Sequence, residues 1–194
     1  MSTAFFLSEL TLAACAAASA SAVRPRAPEA ALGFVLIAVT AALGGLVGVG
    51  VEALRWPYET LLHASQVWGL PLVAVGWMMV YFGQSGPRPA GRVAIPLVLL
   101  ALLSWPFGAS WRLVGGVGAM LLVGVLATRP HPIQPGVRRG ARGAALALLA
   151  GLLGTEGALI GVDRVVWFHL LLALACTSLA TGLAALPGIG EHRS

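Results

Sequence analysis

Lysine is absent from all 194 residues, so each of the twelve basic side chains is an arginine. No Schiff base to retinal or pyridoxal phosphate can form, which excludes a rhodopsin whatever the helix count. Charge of either sign is scarce, 10% of residues against about 25% in a soluble domain. Only two cysteines occur, Cys15 and Cys176, each in the middle of an apolar block. A cysteine-rich metal site or disulfide framework is therefore not expected, and packing of small buried side chains accounts for both. Strand-like alternation is missing, which argues against a barrel. No GxSxG nucleophile elbow is present. His63 and His169, the histidines within apolar blocks, are too few for a four-histidine, two-haem bundle.

What is abundant is apolar length. Hydrophobic residues make up 58% of the chain and mean hydropathy is +0.90. They come in blocks long enough to cross a hydrocarbon core of about 30 Å as helices. The blocks predict seven transmembrane helices at 4–23, 31–54, 58–82, 93–107, 110–127, 143–161 and 164–186. The expected fold is one all-α polytopic domain over residues 1–194, a seven-helix bundle in the cell membrane. Breakers fall between the blocks: Arg24-Pro25-Arg26, Trp56-Pro57, Gly86-Pro87-Arg88-Pro89, Pro106-Phe107-Gly108, Arg129-Pro130-His131-Pro132 and Pro187-Gly188. Pro71 and Pro96 lie inside blocks and predict kinks. The first block also carries a small-residue run, Ala18-Ser19-Ala20-Ser21-Ala22, of the kind that a signal peptidase cuts. The start, however, has no basic n-region and bears Glu9, which favours a retained helix.

Arginine sets the expected orientation. Arg24, Arg26, Arg88, Arg92, Arg129, Arg138, Arg139, Arg142 and Arg193 fall on one side of the predicted bundle, against Arg55, Arg112 and Arg164 on the other. Positive residues in short loops stay cytoplasmic, so the N-terminus is expected outside and the C-terminus inside. Trp56, Trp105, Trp111 and Trp167 fall near the outer boundary, as an interfacial belt would. Because the arginines are dispersed between apolar blocks, the net charge of +5 speaks for topology and anionic lipid rather than nucleic acid. The pairs Gly44/Gly48 and Gly157/Gly161 suggest close helix packing.

On this topology the acids are one-sided. Glu9, Glu52, Glu59, Glu156 and Asp163 all map to the outer half, together with His63 and His169; Glu29 and Glu191 do not. Glu59, His63 and Gln66 recur at helical spacing and share one face, and Glu52 continues the Gly44/Gly48 stripe. Headgroup solvation or pairing with Arg55, Arg112 or Arg164 accounts for the shallow acids, while ionisable groups deeper in a membrane mark functional sites. The functional expectation is an outward-facing polar pocket among helices 1, 2, 3, 6 and 7. There His63, His169, Asp163 and Glu9 would ligate a divalent metal such as zinc, and Glu52, Glu59 and Glu156 would be the catalytic carboxylates.

Seven helices, an outside N-terminus and the last-helix segment "DRVVWFHLLLALA" resemble the alkaline-ceramidase branch of the CREST superfamily of membrane metal-dependent hydrolases. Of the HxxxH pair that members carry on the last helix, His169 matches, whereas the position four before it is Val165. Helix 2 likewise offers no counterpart to the Ser and His of an early helix. The resemblance implies a zinc-dependent hydrolase of a lipid or other amphipathic substrate. Two further readings rest on the residues alone: a proton-coupled transporter or permease with Glu9, Glu52 and His63 as relay, and a non-catalytic membrane subunit or sensor.

Overall fold

The computed structural model describes residues 2–84, 86, 95, 99, 111–128, 135–154 and 156–186. Helix α1 (Thr3–Val23) opens on Ser2, whose hydroxyl accepts the Phe5 N–H and so satisfies one of the orphan donors of a first turn. It stops after Arg24, which is still helical and bonds the Ala20 carbonyl, because Pro25 has no N–H with which to continue the ladder. Helix α2 (Pro28–Gly48) begins on a proline, whose missing N–H costs nothing in the first turn.

The next rod is continuous from Glu52 to Tyr81. It comprises a 3-10 turn (Glu52–Leu54), α3 (Arg55–Ala64), a π turn (Ser65–Gly69) and α4 (Leu70–Tyr81). Pro71 explains the wide turn: it can give no N–H to the carbonyl four residues back, and the preceding backbone widens instead. Helix α2 braces this turn. The Thr40 hydroxyl donates to the Leu61 carbonyl at 3.1 Å, and a methyl on Gly33 would lie 2.5 Å from the Gly69 carbonyl oxygen. Helices α5 (Trp111–Thr128), α6 (Pro135–Leu153) and α7 (Arg164–Ala184) follow. Between the last two lies a hairpin, β1 (Ala158–Leu159) antiparallel to β2 (Val162–Asp163), pairing Ala158 with Asp163 and Leu159 with Val162.

Several sequence expectations need correction. The second helix ends at Gly48 rather than 54, because the chain turns through Gly50 at φ 99°; Glu52 therefore leaves the Gly44/Gly48 stripe and opens the next rod. That rod starts before the expected 58, since Pro57 is tolerated in a first turn. The helix expected at 143–161 runs Pro135–Leu153 instead, so Arg138, Arg139 and Arg142 are helical. Its end is set by Gly154 at φ 69°. Gly157 and Gly161, also at positive φ, belong to the hairpin region and form no helix-packing pair. The hairpin was not expected at all. Its turn, Ile160-Gly161, has φ of 54° and 72°, the pattern of a type I′ turn, which holds a β-branched residue in a conformation costing about 1–3 kcal/mol. The helix expected at 93–107, with Pro96, lies outside the described residues except for Ile95 and Leu99, both helical, and Arg88, Arg92, Trp105, Arg129 and Arg193 lie outside them too.

Four of these rods are long and apolar enough to cross a bilayer: Thr3–Val23, Pro28–Gly48, Glu52–Tyr81 and Arg164–Ala184. The surface agrees with that reading. Leu7, Val39, Leu121, Val125, Leu149 and Leu174 are all exposed, an outward apolar display that soluble monomers avoid. Among the described residues the rods form a closed ring: α1 packs on α2, α2 on α4, α4 on α5, α5 on α6, α6 on α7 and α7 back on α1. Phe34, Trp77, Met120, Leu179 and Leu183 fill its middle, each essentially inaccessible.

Small residues let the rods approach. On α6, Gly136, Gly140 and Gly143 recur along one face; methyls there would meet the Gly182 carbonyl, the Trp77 ring and Leu179 respectively. Where lipid is as apolar as leucine, this close van der Waals contact is a main source of helix association.

Candidate functional site

The contact between the first and last helices buries three polar side chains. Ser8 and Glu9, adjacent on α1, and His169, on the second turn of α7, are all almost completely inaccessible. The Ser8 hydroxyl oxygen lies 3.1 Å from Nδ1 of His169 and 2.8 Å from the Phe5 carbonyl oxygen. On the other side of the ring, Nε2 lies 3.6 Å from Oε1 of Glu9. The rings of Phe5 and Phe168 stand edge-on to the imidazole at 5.6 Å, so aromatic walls close the site.

Counting hydrogens gives this arrangement a definite chemistry. A hydroxyl has one hydrogen, and the Phe5 carbonyl can only accept. With that hydrogen on the 2.8 Å bond, Nδ1 of His169 is the donor to Ser8. Nε2 then faces the Glu9 carboxyl with room for one proton between them, carried either by the carboxyl oxygen or by the ring nitrogen. Both forms have the same proton count, but the 3.6 Å separation is longer than a hydrogen bond, so a proton passes between the two groups only if they close that gap.

Gly44 makes the geometry possible. A methyl at this position would sit 2.6 Å from Oε1 of Glu9 and 3.1 Å from Cε2 of Tyr58. The carboxyl therefore occupies the notch left by a missing side chain on α2, and Tyr58 of α3 closes the far side of the same notch. Phe6 and the Glu9 Cβ cover the neighbouring Gly45.

The other expected site residues stand elsewhere. Glu52 is exposed and held by Arg55, 2.7 Å from Nε to Oε2 with a second bond of 2.9 Å. Glu59 and His63 are exposed on α3, Glu156 is exposed before the hairpin, and Asp163 is exposed at the end of β2. The expected titratable groups thus stand mostly around the surface, with Glu9 and His169 alone of the expected set drawn inside. The ligand set expected from His63, His169, Asp163 and Glu9 is not gathered: among the described residues, no three His, Cys, Asp or Glu side chains come together to hold an ion. Glu9 and His169 would supply two donors to such a site.

Three participants were not singled out from sequence. Ser8 directly precedes Glu9 in an apolar block, and two adjacent polar residues there are a readable signal. Tyr58 and the notch role of Gly44 depend on which helices touch, which one sequence does not disclose. Glu29, assigned to the cytoplasmic side, turns out to be fully buried in the first turn of α2. Cys15 and Cys176 are free thiols, the second buried.

No protein-family model matches this chain, nor does any curated protein or any solved structure.

Proposed function

We propose that the chain is a seven-crossing membrane protein that carries protons through the Glu9–His169 pair, as part of a proton-coupled permease. The observation that carries this reading is the burial of a carboxyl, an imidazole and a hydroxyl between the first and last helices. Such groups are expensive to keep away from water and are characteristic of proton relays. Of the relay residues expected from sequence, Glu9 stays, His169 takes the place of His63, and Glu52 is replaced by the Tyr58 side of the Gly44 notch.

Connectivity supports a seventh crossing. The Gly86 N–H bonds the Arg26 carbonyl at 3.0 Å, which holds the chain after α4 at the α1–α2 turn. Helix α6 starts at that same end, where Gly136 meets Gly182 and Ala185. Residues 129–134 join α5 to α6, a length typical of antiparallel neighbours, so α5 starts at the opposite end. A crossing within residues 87–110, which hold the apolar block 93–107, would connect the two ends. The positive-inside rule then puts Arg24, Arg26 and the start of α6 in the cytoplasm and the N-terminus outside.

A zinc-dependent hydrolase, the activity implied by the alkaline-ceramidase resemblance, needs at least one more ligand than Glu9 and His169 provide. Proteoliposomes decide between the readings. An imposed pH gradient drives proton entry through the parent protein, and Glu9→Gln reduces it by at least about tenfold, the loss expected on removing a group that carries protons. Flux indifferent to Glu9→Gln and His169→Asn, or stoichiometric zinc that vanishes in His169→Ala, would overturn the permease reading; the zinc result would favour the hydrolase.

A further inference from the structure

The first two turns of α6 carry Arg138, Arg139 and Arg142, all exposed, and its first turn holds no acid. This is the positive end of the helix dipole, where cations are disfavoured and anions stabilised. Arg138 and Arg139 stand against this end of the dipole, with Arg142 one turn further in, and an anion from outside the helix would be favoured there.

The packing says in which direction that anion lies. Gly136, Gly140 and Gly143 press the inner face of α6 onto α7 and Trp77. At 100° per residue, Arg138 and Arg142 come about 160° from Gly140, and Arg139 about 100°. Two guanidiniums therefore leave from the back of the helix, toward lipid, and the third from its flank. Arg142 stands about 10 Å along the helix from Pro135, and a long arginine stem reaches from that depth to the phosphate level. Two further arginines stand at this end. Arg24 is exposed, while Arg26 is occupied, donating through Nη1 to the Ala184 and Leu186 carbonyls at 2.8 Å each and so capping α7. The acid at this end among the described residues is Glu29, which is completely buried.

We infer that the outer face of the α6 start is a binding site for the phosphodiester of an anionic phospholipid, held by Arg138, Arg139 and Arg142. Arginine suits this ligand because its planar fork bonds two phosphate oxygens at once. The inference is independent of proton transfer: it rests on the arginines and the packing of α6, not on Glu9 or His169.

Full-length protein in mild detergent, titrated with phosphatidylglycerol or phosphatidylcholine, tests it by native mass spectrometry. The parent is expected to retain phosphatidylglycerol at least about tenfold better, because each basic residue near an anionic surface adds to the attraction. R138Q/R139Q/R142Q erases the preference, and R138K/R139K/R142K, which keeps charge but loses the fork, falls between. Should the glutamine triple fail to fold, the three single glutamine variants carry the test, each lowering the preference. Equal retention of the two lipids by the parent, a preference that survives the triple glutamine variant, or three unchanged singles would overturn the inference.

Discussion

At the scale of single residues, the side chains that matter are those whose alternatives are closed off. Ser8 gives its hydrogen to a carbonyl, which fixes the histidine tautomer; Gly44 has no side chain, which leaves the carboxyl a place to sit. Replacing Ser8 by Ala removes the acceptor for Nδ1–H and leaves that donor buried and unsatisfied, at a cost of about 1–3 kcal/mol. The expected result is a lower melting temperature together with a changed pair of 15N shifts for His169, because the ring is free to move its hydrogen to the Glu9 side. Unchanged shifts in Ser8→Ala would mean that Ser8 does not set the tautomer. The sequence made Glu9 and His169 visible as ionisable residues inside apolar blocks. It did not separate them from Glu59, His63, Glu156 and Asp163, because exposure on a rim and burial in a helix contact leave the same trace in a one-dimensional pattern.

At the scale of elements, small residues decide which helix faces meet. Gly140 and Gly118 make a controlled comparison. A methyl on Gly140 collides with the Trp77 ring, whereas one on Gly118, an exposed position of α5, meets nothing within 4 Å. Gly140→Ala should lose about 1–3 kcal/mol by overpacking, and Gly118→Ala should be neutral or gain up to about 1 kcal/mol from helix propensity. Thermal unfolding in detergent reads both, and equal shifts would refute the packing account. Helix positions were legible where apolar length and proline agree, as in α1 and α7. They were misread around 135–163, where the arginines suggested a loop and the glycines a helix; the arginines in fact ride on the outside of a helix and the glycines turn a hairpin. Hydropathy windows cannot tell a helix with an exposed basic start from a basic connection.

At the scale of the whole molecule, the chain is divided by charge. Among the described residues, Arg24, Arg26, Arg138, Arg139 and Arg142 lie at the end where α1 meets α2 and α6 begins, together with Glu29, and the other carboxylates lie toward the opposite end with Arg55 and Arg164, the Ser8–Glu9–His169 contact being one to two turns inside it. This polarity was the most readable property of the sequence, because it follows from order along the chain and needs no knowledge of packing. Single-cysteine labelling in a Cys15→Ala, Cys176→Ala background checks it: cysteines at Arg24 and Arg139 should react only from the cytoplasmic side, and one at Gly157 only from outside. Labelling of all three from one side would contradict the seven-crossing arrangement.

The central claim is that one proton is shared between Glu9 and His169. Infrared difference spectra of the parent against Glu9→Gln, recorded through a pH titration with 15N-labelled histidine, test it most directly. The account predicts a carboxyl carbonyl band that belongs to Glu9 and rises or falls in step with the His169 ring signals. A Glu9 band that changes while the His169 ring does not, or that never changes, would contradict it.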